Sequence, residues 1–150
     1  MSSIWRRAFA AAAAAWVAAL GLAPLAAHRE NLGRIPLALA DTVYQIGRVV
    51  CHQIPERSFQ LMMMPLPVCA RCTGIYAGAA AAAVLIPSFG ATRHQPILAQ
   101  ARLVLVAAAI PTVATLVYEW TTGDVPAHWM RAAAGAPLGA AVAWIIREVN

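Results

Sequence analysis

The chain has 150 residues, 61% of them hydrophobic and 11% charged, with a mean hydropathy of +0.66. A water-soluble domain carries about a quarter charged residues, so this composition excludes an ordinary soluble globule and makes the bilayer the natural solvent. The net charge of +5 comes entirely from arginine. These arginines are spread along loops without interleaved aromatics, which argues against nucleic acid as a partner and fits topology determinants or contact with anionic headgroups.

The first apolar stretch, Ala8 to Ala27, has about the length needed to cross a hydrocarbon core of roughly 30 Å as a helix. Trp16, Val17, Leu20, Leu22 and Leu25 carry its insertion, because alanine contributes little. The Arg6-Arg7-Ala8-Phe9 lead also suits an export signal, but Leu25 occupies the minus-three position relative to Ala27, so a retained anchor is expected over a cleaved signal.

From Ile35 to Val50 the residues Ile35, Leu39, Val43, Ile46 and Val50 recur at steps of three and four, opposite Asp41, Gln45 and Arg48. This predicts an amphipathic helix over 35–50 that lies along the membrane surface or caps the bundle. Pro36 fits its first turn, and Pro55 stops it shortly after His52. Three further spans are predicted at about 67–89, 103–120 and 130–146, with Pro111 inside the third and Trp129 and Trp144 suited to the interfaces. Gly74 and Gly78 on the second span match the spacing of Gly135 and Gly139 on the fourth, a pattern that lets two helix backbones approach. The fold class is therefore all-α: a single membrane domain over 1–150, with about four transmembrane helices and one amphipathic surface helix.

Orientation is balanced between two arguments. The Arg6-Arg7 lead and the acid-free loop from Arg93 to Arg102 favour a cytoplasmic N-terminus, whereas reduced thiolates are easier to keep on the cytosolic side. With four spans, residues 28–67 and the turn from Glu119 to Arg131 emerge on one side. The expected location is the prokaryotic cytoplasmic membrane, crossed several times.

The chemistry is concentrated in 51–72. Cys51-His52 is followed, after sixteen residues, by Cys69-x-x-Cys72. Thiolates and imidazole are soft or borderline ligands, and the spacing resembles the two knuckles of a small zinc site. Cys69 and Cys72 stand at i, i+3 at the head of a span, so their sulfurs share a face near the positive end of a helix dipole, with Arg71 between them. A tetrad of Cys51, His52, Cys69 and Cys72 would close a four-coordinate site, with zinc or another transition metal as its cofactor; His128 is the alternative fourth ligand. Glu56, Arg57 and Arg71 flank the cluster, and Glu119, His128 and Arg131 lie across the same face. Near span ends such charges need partners, so an ion pair from Glu119 to Arg131, or from these residues to Arg71 or Glu56, is expected. Tyr76, one turn beyond Cys72, is either a hydrogen-bonding member of that network or an interfacial aromatic.

The segment Cys51-His52-Gln53-Ile54-Pro55-Glu56-Arg57-Ser58-Phe59, followed by Pro67-Val68-Cys69-Ala70-Arg71-Cys72-Thr73-Gly74-Ile75-Tyr76-Ala77-Gly78, resembles the signature of an uncharacterised domain-of-unknown-function family of small prokaryotic membrane proteins. The resemblance covers mainly 43–78 and extends to Arg131, Gly135 and Gly139. The family's acidic position at the end of the third span is an aspartate, where this chain has Glu119. The resemblance implies a membrane location and a role for the cysteine cluster, and no activity.

Two functions remain in competition. In the first, a metal organises a cap over the bundle, which is either structural or shelters a lipid or small hydrophobic ligand. In the second, Cys69 and Cys72 form a disulfide and Cys51 relays, with a quinone or flavin as partner; three cysteines leave this route without a second pair. No charged residue lies deep within a span, which disfavours a transporter. The sequence contains no triad order, phosphate loop or paired carboxylates, so it assigns no hydrolase chemistry.

Overall fold

A computed structural model describes residues 3–28, 33–85 and 98–149. The continuation of the second predicted span to residue 89, and the Arg93 end of the arginine loop, lie outside the described residues. Among the described residues there are five α-helices: α1 (Ser3–His28), α2 (Arg34–Val50), α3 (Ala70–Leu85), α4 (Leu98–Thr122) and α5 (His128–Val149). The chain is an all-α membrane bundle: α1, α4 and α5 are long and apolar enough to cross a membrane, and α3 is a shorter apolar helix.

The centre of the bundle is the contact of α3 with α5, the most extensive in the molecule; α4 packs on α5, and α1 packs on α2 and α3. Glycine makes the α3–α5 contact. A Cβ added at Gly74 would run into the Ala132 carbonyl, and one at Gly78 into the Ala136 carbonyl. From the other side, Gly135 lies against the Arg71 carbonyl and Gly139 against the Ile75 carbonyl. The paired glycine spacing thus brings the two backbones into direct contact, as the sequence pattern anticipates. At the far end of α5, Arg147 Nη1 donates to the Ala82 and Ala83 carbonyls of α3, at 3.0 and 3.1 Å.

The surface helix α2 rests on the protein through small residues, Ala40 and Gly47, which are buried. Its large apolar residues Ile35, Leu39, Ile46 and Val50 are exposed. Leu39 borders an apolar groove shared with Ala19, Leu22 and Ala26 of α1, and the exposed residues offer an apolar surface suited to lipid.

One feature is absent from the sequence expectations. Between α2 and α3 the chain makes a 3-10 turn (Pro55–Arg57) and a two-residue-per-strand hairpin, β1 (Gln60–Leu61) antiparallel to β2 (Met64–Pro65). Its loop is Met62-Met63, both with positive φ, at 52° and 65°. A two-residue loop of this kind normally carries asparagine or glycine because both central residues are left-handed. Two methionines there give no turn signal in the sequence.

Candidate metal centre

Cys51 ends α2. Its amide still donates to the Gly47 carbonyl at 2.8 Å, but its own backbone is extended, with φ −149° and ψ 143°. That turns its side chain out of the helical path. Gln53, with φ 50°, then reverses the chain. The Gln53 side-chain amide donates to the Tyr44 carbonyl of α2 at 2.8 Å and to the Pro67 carbonyl at 2.7 Å. This clamp draws the end of α2 against the segment entering α3, and Gly47 leaves room for the Pro67 carbonyl to approach. Tyr44 Oη donates to the Pro65 carbonyl at 2.6 Å, and Ser58, fully buried, donates to the Ile54 carbonyl at 3.1 Å.

The result is a sulfur cluster. The Sγ atoms of Cys51, Cys69 and Cys72 all lie within 4.8 Å of one another. Sulfurs sharing a tetrahedral zinc through bonds of about 2.3 Å stand about 3.8 Å apart, so small side-chain adjustments suffice. All three cysteines are free and part-buried. The Cys69 amide donates to Cys51 Sγ at 3.2 Å. Cys69 stands immediately before α3, outside the helix, and its carbonyl accepts the Thr73 amide at 2.9 Å. The thiol of Cys72, donating to the Cys69 sulfur, holds Cys69 well below its ordinary range, at about 5; burial opposes this, while the Cys72 amide, Cys51 and the Arg131 charge assist it. A lowered thiol favours the thiolate, the form that serves as metal ligand or nucleophile.

Behind the cluster is a buried charge network centred on one carboxylate. Glu119 Oε1 of α4 meets Arg71 Nη2 of α3 at 2.7 Å and Arg131 Nε of α5 at 3.0 Å, and its Oε2 faces Arg57 Nη1 at 3.5 Å. The side chains of Glu119 and Arg131 are 3% and 1% exposed, so in this apolar setting the pairing is needed to keep either charge buried. Arg71 Nη2 also donates to Thr115 Oγ1 at 3.1 Å, and Arg131 Nη1 donates to the Arg57 carbonyl at 3.0 Å. Four segments are therefore joined at Glu119. The expected Glu119–Arg131 pair is one limb of a larger cluster.

Among the described residues His52, His128 and Glu56 stand outside the sulfur donor group. His52 is exposed, and among the described residues its imidazole does not belong to the donor group. His128 Nε2 lies 3.0 Å from the Glu56 carbonyl, and its ring sits 5.6 Å from that of Phe59. Among the described residues the Glu56 side chain is not a partner of the buried arginines, and Glu119 fills the acidic role. Tyr76 turns to α1, where its ring meets Trp16 edge-on at 6.0 Å. Sequence reasoning missed Gln53, Tyr44 and Ser58. For Gln53 and Ser58 the available signal was their place inside the quoted motif, as polar residues in a short loop between two apolar elements.

Curated relatives share parts of this chain. An uncharacterised protein of Methanocaldococcus jannaschii is 33% identical over 66 residues, which is 44% of this chain and 42% of that protein. An uncharacterised protein of Methanothermobacter thermautotrophicus is 56% identical over 32 residues, 21% of this chain and 29% of its own length. The chain thus spans less than half the length of these relatives. No solved structure matches it. The family described as "Predicted membrane protein (DUF2085)" matches residues 51–145, a stretch that begins at Cys51, includes the whole sulfur cluster and the Glu119 network, and covers more than half of the chain; the protein belongs to this family.

Proposed function

We propose that the protein is a multi-pass protein of the prokaryotic cytoplasmic membrane in which Cys51, Cys69 and Cys72 hold one metal ion, zinc, at a membrane face. The observation that carries this reading is the convergence of three sulfurs, from two segments eighteen residues apart, to within 4.8 Å. Thiolate donors favour zinc among the common divalent ions, and zinc imposes no redox change. The ion would tie the end of α2 to the start of α3, and so fix the α2–hairpin cap over the α3–α5 contact. His52, next to Cys51 in the chain, stands outside the three-sulfur donor group, which leaves the fourth position without a protein ligand among the described residues.

A second reading is favoured by one observation, the closeness of two free thiols, Cys69 and Cys72, whose sulfurs lie within 4.8 Å of each other: the pair would then cycle between dithiol and disulfide with a membrane quinone as electron acceptor. Metal analysis and thiol titration of detergent-purified protein separate the two. The metal reading predicts about one zinc per chain and three thiols that react only after chelation. A metal-free chain with a Cys69–Cys72 disulfide would replace it with the redox reading.

A further inference from the structure

The sulfur cluster supplies three donors, and the groups packed behind it carry more positive than negative charge. We infer that the fourth position of the metal centre is taken by a small exogenous monoanion, drawn from the aqueous side by Arg57, rather than by a protein side chain. This rests on the metal reading above.

Two observations support it. The first is the donor count: among the described residues, the histidine, cysteine and carboxylate atoms close enough to share an ion are the sulfurs of Cys51, Cys69 and Cys72 alone. Three protein ligands with one position left to water or substrate is the pattern of zinc sites that exchange a ligand, whereas purely structural sites are closed by four. His52 is exposed, and His128 is held against the Glu56 carbonyl.

The second is the charge balance. Arg57, Arg71 and Arg131 surround the single carboxylate of Glu119, which leaves a surplus of two positive charges in a largely buried setting. A divalent ion on three thiolates carries one negative charge, so one further monoanion brings the assembly to neutrality. Uncompensated charge at a membrane face is costly, which favours such a match. Among the described residues, Arg71 Nε and Arg131 Nε are buried without a hydrogen-bond partner, against one such acceptor, Glu119 Oε2, so the network has more unused donors than acceptors. Arg57 is the member open to solvent, with a side chain 40% exposed and only a loose approach of 3.5 Å to Glu119. Its guanidinium therefore has donors left to guide an incoming anion. With a metal held by Cys51, Cys69 and Cys72, anion binding would be a simple ligand exchange in which the anion's lone pair replaced water and no bond within the chain broke.

Cobalt(II) in place of zinc makes the exchange visible, with azide as the probe anion. The full-length protein in detergent is expected to bind cobalt, to shift its visible absorption bands saturably on azide addition, and to do the same as His52→Ala. Arg57→Gln is expected to bind cobalt as tightly as wild type while requiring several-fold more azide for half-saturation. Bands that ignore azide in wild type and change in His52→Ala would overturn the inference and make His52 the fourth ligand. An unchanged azide response in Arg57→Gln would overturn the steering role. Failure of the wild type to bind cobalt at all would bring down the metal reading and this inference with it.

Discussion

The contact of α3 with α5 and the attachment of α4 to α5 solve the same problem with opposite means. Lipid tails are as apolar as leucine, so helices in a bilayer gain nothing from apolar burial alone; they associate through close packing or polar bonds. Between α3 and α5 the means is chiefly packing: four glycines bring carbonyls and backbones together, with Arg147 adding bonds to two α3 carbonyls at the far end. α4 instead keeps Leu103, Val106, Ile110 and Val113 exposed, and is fastened at points. Thr112 donates to the Ala134 carbonyl at 2.8 Å, and Glu119 is gripped by arginines from α3, α5 and the loop. The first contact is a continuous, shape-dependent frame that holds the head of α3, where Cys72 lies. The second is a polar clasp, whose strength depends on charge. Substitutions in the two regions should therefore fail differently.

The largest effect is expected in the frame. Gly139→Leu places a branched side chain where even a Cβ would meet the Ile75 carbonyl, and backbone cannot yield as a side-chain tip can. Overpacking ordinarily costs about 1–3 kcal/mol and here should exceed that range. The variant should lose thermal stability in detergent throughout, and under the proposed metal reading it should also lose metal content, because α3 can no longer keep its place. A Gly139→Leu protein with wild-type melting would show that the glycines are incidental to the contact.

The clasp should break more locally. Glu119→Gln leaves Arg131 and Arg71 buried without their carboxylate, a change that typically costs about 3–5 kcal/mol. Arg131→Gln strands Glu119 in the same way. The double variant should cost less than the sum of the two, since the penalty in each single comes from an abandoned partner. Thermal unfolding of the three variants checks this; strict additivity would mean that the charges act independently and that the clasp has no role in holding α4.

How much of this was legible beforehand depends on the kind of signal. The helical membrane architecture followed from composition and apolar length, and the α3–α5 contact was written into Gly74, Gly78, Gly135 and Gly139 because close approach demands residues without a side chain. Cysteine spacing pointed to the sulfur cluster for a similar reason, since few other roles put three thiols in one short segment. Pairing of Glu119 with Arg131 could be expected because both stand at span ends. The convergence of Arg57 and Arg71 on the same carboxylate could not, because it depends on the register in which α3 meets α5 and on the path of the loop. The hairpin was invisible because Met62-Met63 occupies a turn that usually advertises itself with glycine or asparagine. The outward position of His52 also follows from loop geometry: Cys51 is extended and Gln53 is left-handed, so adjacent residues in sequence part company in space.

X-ray absorption at the zinc edge tests the central claim most directly, because it counts the sulfurs on the metal in the intact, full-length protein. Three sulfur neighbours at about 2.3 Å and one lighter oxygen or nitrogen neighbour are predicted, with one sulfur lost in each of Cys51→Ser, Cys69→Ser and Cys72→Ser. A wild-type spectrum with two sulfurs or fewer, or one that stays the same when Cys51 is replaced, would contradict the single three-sulfur centre.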